Sequence, residues 1–529
     1  MQEPVFLRQS VTSTPSLYKY LNRFIGTINV IVFIASIVYF LNPSTHAGWN
    51  VLGGIYIVLL LSNGLLIYLK PYTTTFMLWY PFLLAISMLT MGILNYSISN
   101  SYEAKPLMQM VVYIAFLLPL FVASISTFLE ERYFEPHKLF KIILIVMVGF
   151  VYLLGFYFSS IIVVPYEHGV IEAIVTSFSL LFGFVFFAAT ILISKLIDNR
   201  KLLFIAGGIG LIITSIHFLP FLSTQSTIVN LDKQFKEAFQ EPTNNKSFLR
   251  HPFSIPAYFV GMPQQDIQIE KDVIFYEDDD ITLRFDVFMP KESQTTKHPV
   301  LVRIHGGAWK SGDKGADNVM QMNKYFADQG YVVYDIQYGL STLTTYDLGI
   351  DTPMHLIGPF TMDDMLSHIG IFTNYLAEHA NEYKADLDSV FFSGGSAGGQ
   401  LATATALAIE NGSYNDIFSD TITVKGLIPF YPANKSARAI NITGRDEFLE
   451  PENLIRESSP PTLIYQGKND SLVDWETAQS FKDKSMEKGN KHVAIGYMPF
   501  AGHASDYYFP GFYNQVFLYY MERFMWMYK

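Results

Sequence analysis

Residues Asp388 to Ala402 read DSVFFSGGSAGGQLA, and this stretch decides the fold of the half of the chain that holds it. Val390 to Ser393 is a short apolar run of strand character, and the pattern from Leu401 to Ile409 is helical. Between them Gly394-Gly395-Ser396-Ala397-Gly398 places a Gly-x-Ser-x-Gly sequence at a strand-to-helix turn. Such a turn holds its serine in a strained backbone conformation and pushes the hydroxyl out beyond the sheet. Side chains at Gly394 and Gly398 would collide with adjacent elements, which is why small residues are expected there. Ser396 is the candidate nucleophile.

Working outward, eight apolar or β-branched runs read as strands: Val273 to Tyr276, Ile281 to Phe288, Val300 to Ile304, Tyr331 to Ile336, Val390 to Ser393, Val424 to Phe430, Thr462 to Tyr465 and Val493 to Met498. Helical patterns alternate with the later ones, at Asp317 to Gln329, Met362 to Tyr383, Ser396 to Glu410, Thr477 to Lys488 and Gly511 to Met527. This alternation predicts a mainly parallel sheet covered by helices. Only Glu277 to Asp280 separates the first two strands, too little for a crossover helix, so they are expected to form an antiparallel hairpin at the sheet edge. Ligands of such sheets bind beyond the carboxyl ends of the strands.

Three further motifs fall at strand ends. His305-Gly306-Gly307-Ala308-Trp309 follows the third strand; the backbone amides of Gly306, Gly307 and Ala397 are the candidate oxyanion hole, while His305 itself has no required role. Asp470 follows the seventh strand and His503 the eighth, giving the order Ser396, Asp470, His503. His503 would take the Ser396 proton and Asp470 would orient the imidazole. Asp470 beside Asn469 also suits an ordinary turn. With no cysteine in 529 residues, a thiol nucleophile and thiolate metal sites are excluded. A net charge of −11 without a basic stripe argues against a nucleic-acid partner, and no cofactor or metal is expected.

The first 222 residues differ in kind. The whole chain is 50% hydrophobic and 16% charged, and long apolar runs concentrate at Phe24 to Leu41, Trp49 to Leu69, Phe76 to Leu94, Leu107 to Leu129, Leu139 to Val164, Val170 to Ser194 and Lys201 to Leu222. Each is near the roughly 20 residues that cross a bilayer. Arg8, Lys19, Arg23, Lys70, Arg132, Lys138, Lys195 and Arg200 fall on alternate connections, whereas Asn42 to Gly48 and Pro165 to Gly169 carry no Lys or Arg and Lys105 alone marks the opposite side. Basic connections stay cytoplasmic. A retained first span and an odd span count therefore predict a multi-pass cell-membrane protein, its N-terminus inside and everything after Leu222 outside. The expected division is a cytoplasmic segment 1–23, a transmembrane helical bundle 24–222, a linker 223–265 and a catalytic α/β domain 266–529. Asn29, Asn63, Asn95, Glu172 and His217 are read as interfacial or interhelical hydrogen-bonding groups in preference to a transport site. The amphipathic stretch Val229 to Phe239 reads equally as a surface helix or a linker helix, and the insertion Leu340 to Phe360 equally as a lid or a passive loop.

From Asp266 to Lys529 the blocks HGGAWKSGDK, DSVFFSGGSAGGQLA, PPTLIYQGKNDSLV and MPFAGHASD resemble, in order, the α/β-hydrolase superfamily, and within it the HGG-motif carboxylesterases of the hormone-sensitive-lipase-like and feruloyl-esterase-like branches. Gly395, where the lipase-like branch usually has an acidic residue, leans toward the feruloyl-esterase-like branch. The resemblance implies an α/β-hydrolase fold and a metal-independent serine carboxylesterase acting on an ester-bearing small molecule, a lipid or an acylated glycan. Two other functions stay open: an acyltransferase using the same acyl-enzyme, and a membrane transporter or sensor with a hydrolase-like binding module.

Overall fold

The computed structural model describes residues 16–41, 46–70, 74–128, 136–164, 169, 171–240, 249–263, 266–291, 297–342 and 351–529. Arg8, Leu129, Arg132, parts of the 42–48 and 165–169 connections, and residues 343–350 of the long insertion lie outside them.

The N-terminal half is helical: α1 (Ser16–Leu41), α2 (His46–Leu69), α3 (Thr75–Ser99), α4 (Pro106–Phe128), α5 (Lys138–Val163), α6 (Ile171–Ser177), α7 (Ser179–Leu196) and α8 (Arg200–Leu222). Among the described residues seven helices are long and apolar enough to cross a membrane by length and composition. The sixth apolar run is not one uninterrupted helix. It is interrupted at Phe178, beside Ser177, whose carbonyl accepts from the Tyr258 hydroxyl at 3.0 Å and whose own hydroxyl donates to the Ser505 carbonyl at 2.9 Å. Ser177 is thereby tied to the connector helix and to the C-terminal half. Asn29 on α1 and Asn63 on α2 exchange amide hydrogen bonds of 2.9 and 3.2 Å, a polar pair between two otherwise apolar helices.

Two helices follow, α9 (Thr224–Phe239) and α10 (Ile255–Val260). The amphipathic stretch on α9 packs against the strand Val493–Met498 and the C-terminal helix Phe512–Tyr528: Leu231, Phe235 and Phe239 are buried, and Phe235 and Phe239 meet Tyr520 and Phe524 of that helix with ring centroids 5.3 and 5.0 Å apart. Its apolar face is satisfied by protein.

The main sheet has eight strands: β1 (Ile267–Glu277), β2 (Thr282–Pro290), β3 (His298–Ile304), β4 (Val332–Ile336), β5 (Ala385–Gly395), β6 (Val424–Phe430), β7 (Thr462–Gly467) and β8 (Val493–Met498). Their order across the sheet is β1-β2-β4-β3-β5-β6-β7-β8. β1 and β2 form the expected antiparallel hairpin, β2 also runs antiparallel to β4, and every other pair is parallel. The central strands are buried on both faces, as their near-continuous apolar runs require. The longer helices between them are α11 (Met320–Asp328), α12 (Met362–His379), α13 (Ala397–Asn411) and α14 (Glu476–Glu487), and α15 (Phe512–Tyr528) follows the last strand. α12 starts with a capping box, the Asp364 carboxylate accepting the Thr361 N–H at 2.8 Å and the Thr361 hydroxyl accepting the Asp364 N–H at 3.3 Å.

The two halves meet at one set of helix ends. Asn95 near the end of α3 donates to the Phe259 carbonyl at 2.8 Å and the Tyr508 hydroxyl at 3.1 Å; Gln109 near the start of α4 donates to the Val260 carbonyl at 2.6 Å. The Ile162 carbonyl at the end of α5 accepts from Asn469 at 2.6 Å, and Ser223 after α8 pairs with the Tyr513 hydroxyl at 2.6 Å. Lys70 and Lys195 lie at the opposite ends, with the Lys195 ammonium donating to the Tyr68 and Lys70 carbonyls at 2.8 Å each.

Candidate active site

β5 ends at Gly395 and α13 begins at Ala397, which leaves Ser396 alone in the turn with φ +56° and ψ −119°. That conformation is rare for a residue with a side chain and marks stored strain. Crowding holds it in place. A Cβ on Gly394 would stand 2.5 Å from the Gly398 and Ile304 carbonyl oxygens, and one on Gly398 would stand 2.1 Å from the Ile304 oxygen. The Ser396 N–H donates to the Phe430 carbonyl on β6 at 2.9 Å, so the neighbouring strand fixes the turn from the other side.

Gly306 and Gly307 follow β3 directly. A Cβ on Gly306 would lie 3.5 Å from the Ser396 Cβ, which measures how closely this backbone passes the serine. Ala397 is fully buried as the first residue of α13, so the positive end of that helix adds to any donor array aimed at the turn. His305 points away: its ring stacks on Tyr338 at 4.5 Å, and Nδ1 faces the Gly306 carbonyl at 2.9 Å.

Asp470 and His503 lie on the loops after β7 and β8. His503 Nδ1 is 3.0 and 2.9 Å from the two Asp470 carboxylate oxygens. Asp470 is anchored in turn by the Leu472 and Val473 N–H groups at 3.0 and 2.8 Å. With Nδ1 committed to the carboxylate, Nε2 is the nitrogen left for a reacting proton. Burial pushes the His503 imidazole down, but the charges of Asp470, Glu172 and Asp506 and the Asp470 hydrogen bond outweigh it and leave it above the ordinary 6.5.

Ser396, Gly306, Gly307 and His503 line one cavity of about 990 Å3, with Asp470 behind the imidazole. The C-terminal half has the α/β-hydrolase fold. Residues 285–443 match the BD-FAE family model. A probable carboxylic ester hydrolase, LipM of Mycobacterium tuberculosis, is 27% identical over 242 residues, covering 41% of this chain and 52% of that protein. The esterase LipQ of the same organism is 23% identical over 229 residues, covering 39% and 50%. Among solved structures, Thermogutta terrifontis esterase 2 phosphorylated by paraoxon is 22% identical, covers 46% of this chain and 85% of its own, and gives a TM-score of 0.36. The chain spans about half the length of the two mycobacterial relatives.

Three residues of this candidate site were not legible as site residues in the sequence. Glu172, carried by α6 of the other half, is almost fully buried; it accepts from the Ser471 hydroxyl and from the Ser471 and His503 N–H groups at 3.4 and 3.2 Å. One carboxylate therefore braces both loops that carry Asp470 and His503. Asp506 lines the cavity and accepts the Tyr431 hydroxyl at 2.7 Å, while the Tyr431 ring packs on His503 at 4.6 Å. Burial pushes the Asp506 carboxyl up. No local pattern marks any of the three, because their partners are distant in sequence. Of the 340–360 insertion, Asp351 lines the cavity, and the Thr352 hydroxyl accepts the Gly312 N–H at 2.9 Å.

Proposed function

We propose that the protein is a membrane-anchored serine carboxylesterase whose catalytic residues are Ser396, Asp470 and His503, with Gly306, Gly307 and Ala397 as oxyanion donors. The observation that carries this reading is the convergence on one cavity of a strained serine, a glycine backbone and a histidine paired with a buried aspartate. Ser396 Oγ attacks the ester carbonyl while His503 Nε2 takes its proton. The carbonyl oxygen gains negative charge against the backbone N–H groups, each such donor being worth about 3 kcal/mol in comparable sites. Collapse breaks the ester C–O bond, and His503 returns the proton to the leaving alcohol. Water then attacks the acyl-enzyme with His503 again as base, releasing the carboxylic acid and restoring Ser396.

Our reading divides the chain into a segment 1–23, a membrane unit 24–222, a connector 223–265 and a catalytic unit 266–529. It puts the catalytic unit outside the cytoplasm, since the helix ends that meet it are opposite those bearing Lys70 and Lys195. A membrane-impermeant fluorophosphonate probe tests nucleophile and side together. Intact cells should label the parent protein and not the Ser396→Ala variant. Labelling only after lysis would overturn the orientation, and labelling of Ser396→Ala would overturn the assigned nucleophile.

Glu172 acts as a positioning residue in this scheme. Glu172→Gln keeps its volume but removes one of the charges that raise the His503 imidazole above its ordinary value. His503 must be neutral to act as base, so the acid limb of kcat/KM should move to lower pH while the plateau falls about tenfold. A pH–rate profile on both proteins reads this; a lower plateau with an unmoved limb would reduce Glu172 to a purely structural brace.

A further inference from the structure

The cavity above Ser396 is not walled by the hydrolase half alone. Its far wall is built from α3, α6 and α7, the helical half of the same chain. Met88, Leu89, Gly92, Ile93, Phe178 and Phe182 stand on that wall, and among the described residues it includes no charged side chain. Among the described residues the charged side chains lining this space all come from the hydrolase side, Arg303, Lys310, Asp351 and Asp506 with the His503 imidazole. The cavity is therefore amphiphilic along its length.

It also opens sideways. Leu89, Ile93 and Ile174 line the cavity and are at the same time 41%, 65% and 48% exposed, so they form the rim of a gap between α3 and α6 rather than a sealed wall. Leu89 and Ile93 belong to α3, a helix long and apolar enough to cross a membrane, so their part of the rim suits hydrocarbon, not water. From Tyr96 to Met88 the wall descends eight residues along α3, about 12 Å at 1.5 Å per residue. One leaflet's share of a bilayer core is about 15 Å. A polar glycan ester entering here would leave its hydroxyls without partners along the α3 wall, a strong selection against it.

We propose that the substrate is a long-chain carboxylic ester of a bilayer lipid, which reaches Ser396 sideways from the outer leaflet through the gap between α3 and α6. The acyl chain lies along Met88, Gly92 and Phe178 while the ester carbonyl meets Ser396 and the headgroup side faces the hydrolase half, where Lys310 and Asp351 line the cavity. This rests on the esterase reading above and names its substrate class. It also gives the many helices a task that a single anchor could not perform, since one span cannot form a walled entry.

The test uses full-length protein in dioleoylphosphatidylcholine vesicles carrying a fluorogenic long-chain diacylglycerol ester, with p-nitrophenyl acetate as the water-soluble comparison. Turnover of both is counted per serine titrated with fluorophosphonate, so misfolded protein drops out. The parent should hydrolyse the vesicle ester, and in Leu89→Trp and Ile93→Trp the ratio of long-chain to acetate turnover should fall about tenfold or more. The proposal is overturned if the parent cleaves acetate but not the vesicle ester, or if both variants keep the parent's ratio within roughly twofold. A parent that neither labels nor cleaves either ester would instead overturn the esterase reading, and this inference with it.

Discussion

Ester turnover by Ser396→Ala protein should fall by roughly 10^4- to 10^6-fold, with the fold intact. Alanine keeps the Cβ and meets the same backbone restriction at φ +56°, and the Ser396 N–H bond to Phe430 does not involve the side chain. What disappears is the oxygen that the proposed acyl-enzyme needs, so that covalent route is lost. The measurement is kcat/KM on p-nitrophenyl butyrate with purified full-length protein, alongside a thermal melt. Unchanged turnover with an unchanged melt would sink the assignment of the nucleophile.

Asp470→Asn should lower kcat by roughly 10^4-fold while the loop holds its shape. The Leu472 and Val473 N–H groups can still donate to the amide oxygen, which keeps the turn. The carboxylate that accepts from His503 Nδ1 is lost, and the amide can hold the ring in the tautomer that puts the proton on Nε2, the wrong nitrogen for a base. The leading charge that raises His503 goes as well, so the residual activity should show its acid limb at lower pH than the parent. An Asp470→Asn protein retaining near-parent kcat would mean that His503 is oriented by something else, with Glu172 or Asp506 the first to examine.

The eight strands, the edge hairpin and the seven apolar helices were legible because each rests on local periodicity and chain length. Val390 to Ser393 reads as a buried strand without knowledge of its neighbours, and Glu277 to Asp280 leaves no room for a crossover whatever surrounds it. The glycines at 394 and 398 were legible for a similar reason: a strand turning at once into a helix brings carbonyl oxygens within 2.5 Å of where a side chain would begin. The interruption at Phe178 was not legible, since the apolar run continues through it and the partners of the adjacent Ser177, Tyr258 and Ser505, lie far along the chain.

Fold class, chain order of Ser396, Asp470 and His503, and the alternation of basic connections are properties that the sequence determines by itself, because short-range sterics, hydropathy and spacing set them. Only the tertiary structure decided what lies over the strand ends. The placement of Glu172 beneath the loops of Asp470 and His503, the docking of α9 on the sheet, and the apolar wall of α3 facing Ser396 all depend on how two halves pack. Such packing couples residues hundreds of positions apart through shape and buried polar pairing, and no local pattern in a single sequence records it.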